Sequence, residues 1–374
     1  MAYNIISKRN VLFLLPSLGL GGAERVVVTL LRHLNRNRFH LSLVLVNKNV
    51  PVLLSEVPED VEVIKLNCIR VFYAIPKLVW LIWRHRPDVV FSGLSHLNIF
   101  LAIIRPLLSN KTYYVARESS IISEVVKMYQ CPWLWIWAYR HFYWRYDKMI
   151  CQSSVMRDDL VNNFSYPADK ITVINNPVDV RHIRSLAREK INTGLIKNDD
   201  ATCNHGMNLV AVGRMSSEKK YDLIIKAIAL IENKQIRLTL VGDGPLRQDL
   251  EKLAKVCGVA SQIRFVGYQV NPYPFIDQAD ALVLSSKFEG FPNVVLEALA
   301  CGTPIIATPA IGGLREIIEG VPGCIITNEV SAISLSKAIA DFPPGCRLSS
   351  DVVLYYDVEQ IVGLYEKVLE SCDP

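Results

Sequence analysis

Short apolar runs recur along the first half of the chain, separated by segments long enough for a helix. The runs at 10–16, 40–46, 61–66, 88–92, 112–116, 148–153 and 171–174 are short and mostly apolar, and they read as strands with both faces buried. Between the first two, Val26, Val27, Leu30, Leu31 and Leu34 fall on one face of a helix over 23–34. Strands alternating with helices imply βαβ units and a mostly parallel sheet. The turn residues Asn-Asn-Pro-Val at 175–178 end this pattern, and 191–206 lacks periodicity, as a linker does. The alternation restarts with strands at 209–213, 237–242, 263–267, 281–285, 304–308 and 324–327. Helices between them are centred near 223–231, 246–256, 294–300 and 335–340. A last helix over 358–371 follows the completed second sheet and is free to pack on either domain. The pattern predicts an α/β protein of two Rossmann-like, doubly wound domains facing a cleft. They span 1–185 and 207–357, with a linker at 186–206 and the segment 358–374 able to return to the first domain. Ligands in such sheets sit beyond the carboxyl ends of the strands.

A chain of 374 residues suits two domains of about 150–200 residues each. With 51% hydrophobic and 21% charged residues, burial can offset chain entropy, which argues against disorder. The apolar stretches 71–83 and 97–108 are broken by Lys77 and by Arg105-Pro106, which argues against a membrane-spanning helix. Lys8-Arg9 followed by the apolar residues 11–15 imitates a secretion signal, but Pro16 ends the run too early. A buried first strand and a glycine turn explain it better. Nine scattered cysteines, an odd number without a CxxC pair, read as reduced thiols in the cytoplasm and indicate neither a disulfide framework nor a zinc cage. Charge is uneven. Residues 1–200 carry 26 Lys and Arg against 16 Asp and Glu, a net +10, whereas 201–374 carry 15 against 20, a net −5. The first half is the one expected to face something anionic, unless its cations only solvate the domain.

Candidate chemistry gathers where strands end. Gly19-Leu-Gly-Gly22 follows the first strand and opens a helix; it suits either a tight turn or a close approach of Gly21 and Gly22 to a phosphate. It is not a dinucleotide fingerprint, because Glu24 stands where the last glycine belongs. Arg214 and Lys219 lie five residues apart on the first loop of the second domain, one able to fork across phosphate oxygens and the other a point charge. Val241-Gly-Asp-Gly-Pro245 and Phe265-Val-Gly267 close two further strands, and backbone at Gly242 and Gly267 could hold a flat base. The strongest pattern is Glu289-Gly-Phe-Pro-Asn-Val-Val-Leu-Glu297. It puts Glu289 on a loop and Glu297 about one turn into the next helix, so that both can accept bonds from one ligand's hydroxyls. Solvent-facing glutamates are the plainer reading. Gly312-Gly-Leu-Arg-Glu316 adds another glycine-led helix start.

Taken in order, these motifs resemble those of the retaining glycosyltransferases of family 4, or glycosyl transferases group 1, which have the two-domain GT-B fold. The likeness spans nearly the whole chain, from Gly21–Glu24 to the closing helix. It implies that Arg214 and Lys219 neutralise a donor diphosphate and that Glu297 binds the nucleotide ribose. Glu289 and the backbone of Gly290, Phe291 and Pro292 would hold the donor sugar, with Asn293 and Val294 opening the adjoining helix. Gly21 and Gly22 would approach the reacting centre from the other domain. His96, Arg117 and Glu118 are the candidates for touching sugar or acceptor. Lys220 is a departure, since a glycine usually follows the lysine there. The chain has no D-x-D triplet, the usual ligand of a metal-held diphosphate, so the reaction is expected to need no metal and no cofactor beyond its nucleotide-sugar co-substrate. In the family the anomeric configuration is retained and the leaving phosphate takes the acceptor's proton, so Glu289 is assigned neither as nucleophile nor as general base. Domain closure would exclude water.

Residues 129–146 hold Trp133, Trp135, Trp137 and Trp144 with Arg140 and Arg145 among them. Aromatic residues mixed with cations suit a membrane interface. Trp135, Tyr139, Phe142 and Tyr146 also form one helical stripe that could pack beneath the sheet; stacking on nucleic acid is not expected. The combined expectation is a transferase peripheral to an anionic cytoplasmic leaflet. It would move a sugar from a UDP- or GDP-sugar to a lipid-linked glycan of a surface polysaccharide of the O-antigen, capsule or exopolysaccharide type. Its rivals are a sugar-nucleotide epimerase or hydrolase of the same fold and a non-catalytic assembly subunit.

Overall fold

The computed structural model describes residues 8–19, 21–47, 52–190, 206–233 and 235–371. It divides into two compact units, Met1–Pro177 with Val358–Pro374, and Val178–Asp357. In the first, seven strands form one parallel sheet: Arg9–Leu15 (β1), Phe39–Asn47 (β2), Glu62–Cys68 (β3), Val89–Ser92 (β4), Tyr113–Arg117 (β5), Lys148–Cys151 (β6) and Ile171–Val173 (β7). Their order is β3-β2-β1-β4-β5-β6-β7, so the winding reverses between β1 and β4. Val11 pairs with Leu41 on one side and Val89 on the other, and Val11 to Leu15 are all buried, so both faces of β1 are covered and the strand is apolar without alternation. Helix Gly22–His33 covers this strand with Val26, Val27, Leu30 and Leu31.

The closing helix Val358–Glu370 belongs to this first unit. Its Ile361, Val362, Tyr365 and Leu369 enter the core that contains Val27, Leu30 and Phe39. Polar contacts fix its register: Arg9 Nη1 donates to Leu369 O at 3.3 Å, and the Glu366 carboxylate accepts from Asn35 N and Arg38 Nη1 at 2.9 and 2.8 Å. The first unit ends at Pro177, which corrects the expected boundary at 185. Asp179 caps the next helix, Val180–Ala187, by accepting from His182 N at 2.9 Å, and Ile183 and Ala187 bury in the second unit's core beside Phe275. Of the expected linker, 191–205 lie outside the described residues.

The second unit has Asn208–Val212 (β8), Arg237–Val241 (β9), Ile263–Gly267 (β10), Ala281–Leu284 (β11), Phe288–Glu289 (β12), Ile305–Ala307 (β13), Ile311–Gly312 (β14) and Ile325–Ile326 (β15). Six of these form a parallel sheet in the order β10-β9-β8-β11-β13-β15, which reverses between β8 and β11. The two-residue strands β12 and β14 pair separately, Glu289 against Gly312. Both units are doubly wound parallel sheets.

The aromatic segment divides between both readings. Within helix Pro132–Phe142 and the 3-10 turn Tyr143–Arg145, Tyr139 and Tyr143 are buried, as is Tyr146 just beyond, while Trp133, Trp137 and Trp144 face solvent. Among the described residues, no helix is long and apolar enough to cross a membrane.

Candidate active site

A crevice opens in a parallel sheet where neighbouring strands send their following loops to opposite faces, and in the second unit β8 and β11 are such neighbours. The β8 loop carries Arg214 and Lys219; the β11 loop carries Ser285, Ser286 and Glu289. The two loops are stitched together. Ser285 Oγ lies 2.7 and 2.9 Å from the carbonyl oxygens of Lys219 and Lys220, and Lys287 N donates to Glu218 O at 2.7 Å. Lys219 Nζ consequently meets Glu289 Oε1 at 2.6 Å, where Ser286 Oγ donates to the same oxygen at 2.6 Å. Both partners are largely withdrawn from solvent, so their mutual attraction is screened less than that of a surface pair. Arg214 is exposed, and its guanidinium makes no hydrogen bond or ion pair among the described residues. Lys220 takes the left-handed conformation, φ 52°, at the start of helix Tyr221–Leu230. That is the physical reason a glycine suits this position.

The neighbouring glycine loops bring backbone against backbone. Gly242 N donates to Gly267 O at 2.8 Å, and Gly213 N donates to Val241 O at 2.9 Å. Gly242 has φ 136°, and a Cβ there would fall on the Gly213 carbonyl oxygen, so no side chain fits. On the other flank, Gly313 N reaches Glu289 O and Gly290 O at 3.3 and 3.1 Å, and with the β12–β14 pairing this fixes the turn after Glu289. Phe291 is buried with its ring edge-on to Tyr356, and Pro292 is buried too, so the turn has backbone rather than side chains to offer a ligand. Helix Asn293–Ala300 begins there with no side-chain cap from Pro292. Asn293, Val294 and Glu297 are each half-buried, and Glu297 stands one turn after Asn293 on the same face.

In the first unit, Gly21 caps helix Gly22–His33, and Glu24 folds back over it so closely that a Cβ at Gly21 would strike the carboxylate. Burial raises the Glu24 pKa against the opposing pull of Arg117. Arg117 and Glu118 are both wholly buried, which corrects the expectation that they touch sugar or acceptor. The Arg117 guanidinium donates from Nε to Tyr365 Oη at 3.1 Å and from Nη2 to Asn176 Oδ1 at 2.6 Å. Glu118 accepts from Ser95 Oγ at 2.5 Å, from Asn98 Nδ2 at 2.8 Å and from the Tyr143 hydroxyl. Burial pushes its pKa up to about 7. The two side chains brace the closing helix and the start of helix Ser95–Ile104, whose second residue, His96, is exposed. Sequence reasoning named Glu24 only as a break in the dinucleotide fingerprint and as the end of the Gly21–Glu24 motif, and it missed Ser286 and the partners of this buried network. Of these, only the Ser285-Ser286 pair at the end of β11 carried a positional signal.

Comparison with known proteins assigns this architecture. The family described as Glycosyltransferase Family 4 matches residues 20–182, and Glycosyl transferases group 1 matches residues 206–343. A relative from Campylobacter jejuni is the N-acetylgalactosamine-N,N'-diacetylbacillosaminyl-diphospho-undecaprenol 4-alpha-N-acetylgalactosaminyltransferase. It is 28% identical over 313 residues, covering 80% of this chain and 81% of the relative. The lipopolysaccharide core biosynthesis glycosyltransferase LpsE of Rhizobium meliloti is 30% identical over 209 residues, 54% of this chain and 58% of its own length. In fold, Anabaena HepE in complex with UDP and glucose superposes with a TM-score of 0.76 at 19% identity, over 97% of this chain and 100% of that one. Two family matches in sequence order, one on each unit, and a shared two-unit fold lead to one conclusion: the chain belongs to the family 4 glycosyltransferases, enzymes of the GT-B fold.

Proposed function

We propose that this glycosyltransferase moves a sugar, with retention and without a metal ion, from a UDP- or GDP-sugar to a lipid-linked glycan of a bacterial surface polysaccharide. The observation that carries the proposal is the Lys219–Glu289 pair at 2.6 Å on the loops where the second sheet reverses its winding, with the exposed Arg214 on the same loop as Lys219. Breaking a sugar–phosphate bond develops negative charge on the leaving nucleotide and positive charge on the anomeric carbon. Lys219, held at the strand end by Glu289, and Arg214 on the same loop are the cations that would meet the first of these. A diphosphate would draw Lys219 away from Glu289 and free that carboxylate to accept bonds from sugar hydroxyls, with Ser286 steadying it. Glu297 would take the ribose hydroxyls, and the backbone at Gly242 and Gly267 the base. The leaving phosphate receives the acceptor's proton, so no protein base is assigned.

The acceptor class rests on the Campylobacter relative, whose name places a diphospho-undecaprenol-linked saccharide as its substrate, and on LpsE in lipopolysaccharide core synthesis. The UDP donor has support from HepE, whose structure holds UDP and glucose. Such an acceptor would call for an enzyme working peripherally on an anionic cytoplasmic leaflet. The test is to incubate purified protein with UDP- and GDP-sugars, with and without a diphospho-polyprenol-linked acceptor, and to follow both substrates by mass spectrometry. Acceptor-dependent extension with an α-linkage from an α-configured donor is the expected result. Rapid donor conversion without acceptor would mark an epimerase or hydrolase, and complete inertness a non-catalytic subunit.

A further inference from the structure

All six tryptophans of the chain lie between positions 80 and 144, in the first unit. Five are exposed: Trp80 by 66%, Trp83 by 57%, Trp133 by 70%, Trp137 by 47% and Trp144 by 53%. They come from two helices and a turn that are far apart in sequence, yet a line of contacts joins them. Trp80 and Trp83 sit one turn apart on helix Ile75–His85, and Trp83 Nε1 donates to Leu107 O at 2.9 Å. Leu107 is itself exposed and ends the turn that follows helix Ser95–Ile104. On that helix the carbonyls of Ala102 and Ile103 accept from Arg145 Nη1 at 3.2 Å each. The Arg145 guanidinium lies 4.8 Å over the Phe142 ring, and the adjacent Trp144 donates to His141 O at 2.9 Å. His141 stacks on Trp137 at 4.7 Å, and Trp133 is one turn further along helix Pro132–Phe142.

We infer that this single aromatic face, built from helices Ile75–His85, Ser95–Ile104 and Pro132–Phe142, is where the first unit docks on an anionic lipid bilayer. Contiguous exposed apolar surface of this kind marks an interaction site. The charge around it selects the occupant. Residues 69–146 contain ten Lys and Arg against three Asp and Glu, and two of those acids, Glu118 and Glu124, are buried. Arg84 and Arg86 are exposed at the end of the helix that bears Trp80 and Trp83, and Arg140 is exposed on the helix that bears Trp133 and Trp137. Set against a second copy, this surface would oppose like charges; set against anionic headgroups, each cation contributes about 1 kcal/mol. Indoles prefer the depth of the headgroups, with flanking cations in the phosphate layer. The inference deepens the reading of a lipid-borne acceptor and rests on that reading for the purpose of the surface.

Because every tryptophan belongs to this region, intrinsic fluorescence reports docking directly. The probes are vesicles of phosphatidylcholine, alone or mixed with phosphatidylglycerol, with and without brominated acyl chains. The expected result is a blue-shifted emission, quenched by the brominated lipid, with the mixed vesicles only. Trp80→Ala with Trp83→Ala should lower partitioning by about tenfold or more. Arg84→Glu with Arg140→Glu should remove the preference for phosphatidylglycerol. Each double variant loses hydrogen bonds, Trp83 Nε1 to Leu107 O or Arg140 to Asn163 O, so its Tm falls modestly, but both should melt cooperatively and extend a water-soluble, short-chain acceptor analogue at the wild-type rate. An unshifted, unquenched emission, or partitioning indifferent to both double variants, would overturn the inference. So would a lipid-independent dimer in sedimentation that shields the tryptophans. Wild-type protein that docks on vesicles but extends no acceptor would sink the proposed function and support the docking surface.

Discussion

Lys219 and Glu289 meet across 2.6 Å with little exposure, so in the proposed function the cation assigned to the phosphate is held in place by the acid assigned to the sugar. Replacing it, Lys219→Ala, should reduce kcat/KM for transfer by roughly 10²–10³, the usual cost of removing one oriented charge from an anion hole. Unchanged steady-state kinetics in folded protein would contradict its role. Glu118 makes a different prediction. Its pKa is raised from 4.5 to about 7, so folding favours its protonated form. The stability it contributes is complete below the unfolded pKa and is lost as pH rises through the folded one, between about 4.5 and about 7. In Glu118→Gln the fall in Tm across that window should flatten; an identical slope would show that the carboxyl does not titrate there. These residues also show how far a sequence can be read. The placement of Arg214, Lys219, Glu289 and Glu297 on the loops and helix start after β8 and β11 was legible because each sits at a fixed distance from a strand end or a glycine turn. Arg117 and Glu118 occupy an equally promising strand end, but their direction depends on Tyr365, 248 positions away from Arg117, and on Ser95, Asn98 and Tyr143.

Element by element, the strands of both sheets were legible, since parallel strands covered on both faces leave short apolar runs that helices do not. The pair β12–β14 was not, because two residues carry no periodicity; it forms only when the Glu289 turn lies beside Gly312. Nor could the pattern alone end the first unit at Pro177, although the Asn-Asn-Pro turn stood there. Helix Val180–Ala187 has the same amphipathic pattern whichever core it joins. The loop before helix Tyr221–Leu230 offers a direct test of backbone strain. A left-handed non-glycine residue costs roughly 1–2 kcal/mol, and glycine's extra chain entropy costs about 0.5–1. Lys220→Gly, which relieves φ 52°, should therefore stabilise the protein by up to about 1 kcal/mol in denaturant titration. A loss of stability would mean that the Lys220 side chain contributes more than the strain it imposes.

For the molecule as a whole, the last helix is covalently downstream of the second unit but packed in the first. Val358, Ile361, Val362, Val368 and Leu369 are buried there, and at roughly 1.5–3 kcal/mol per aliphatic side chain they represent roughly 8–15 kcal/mol of burial. That equals the net stability of an ordinary domain, about 5–15 kcal/mol. Deleting everything after Asp357 should leave the first unit insoluble or unfolded by circular dichroism, and a cooperative, native-like melt of both units would contradict this packing. In the second unit, the proposed function has the β8 and β11 loops grip a nucleotide diphosphate through Arg214 and Lys219. Isothermal titration calorimetry with UDP and with GDP, in the presence of a metal chelator, tests it most directly, using wild-type protein beside Arg214→Ala and Lys219→Ala. The expected result is saturable one-site binding of one of the two nucleotides to wild type, weakened at least about tenfold in each variant. No binding of either nucleotide, or equal affinity in all three proteins, would contradict it.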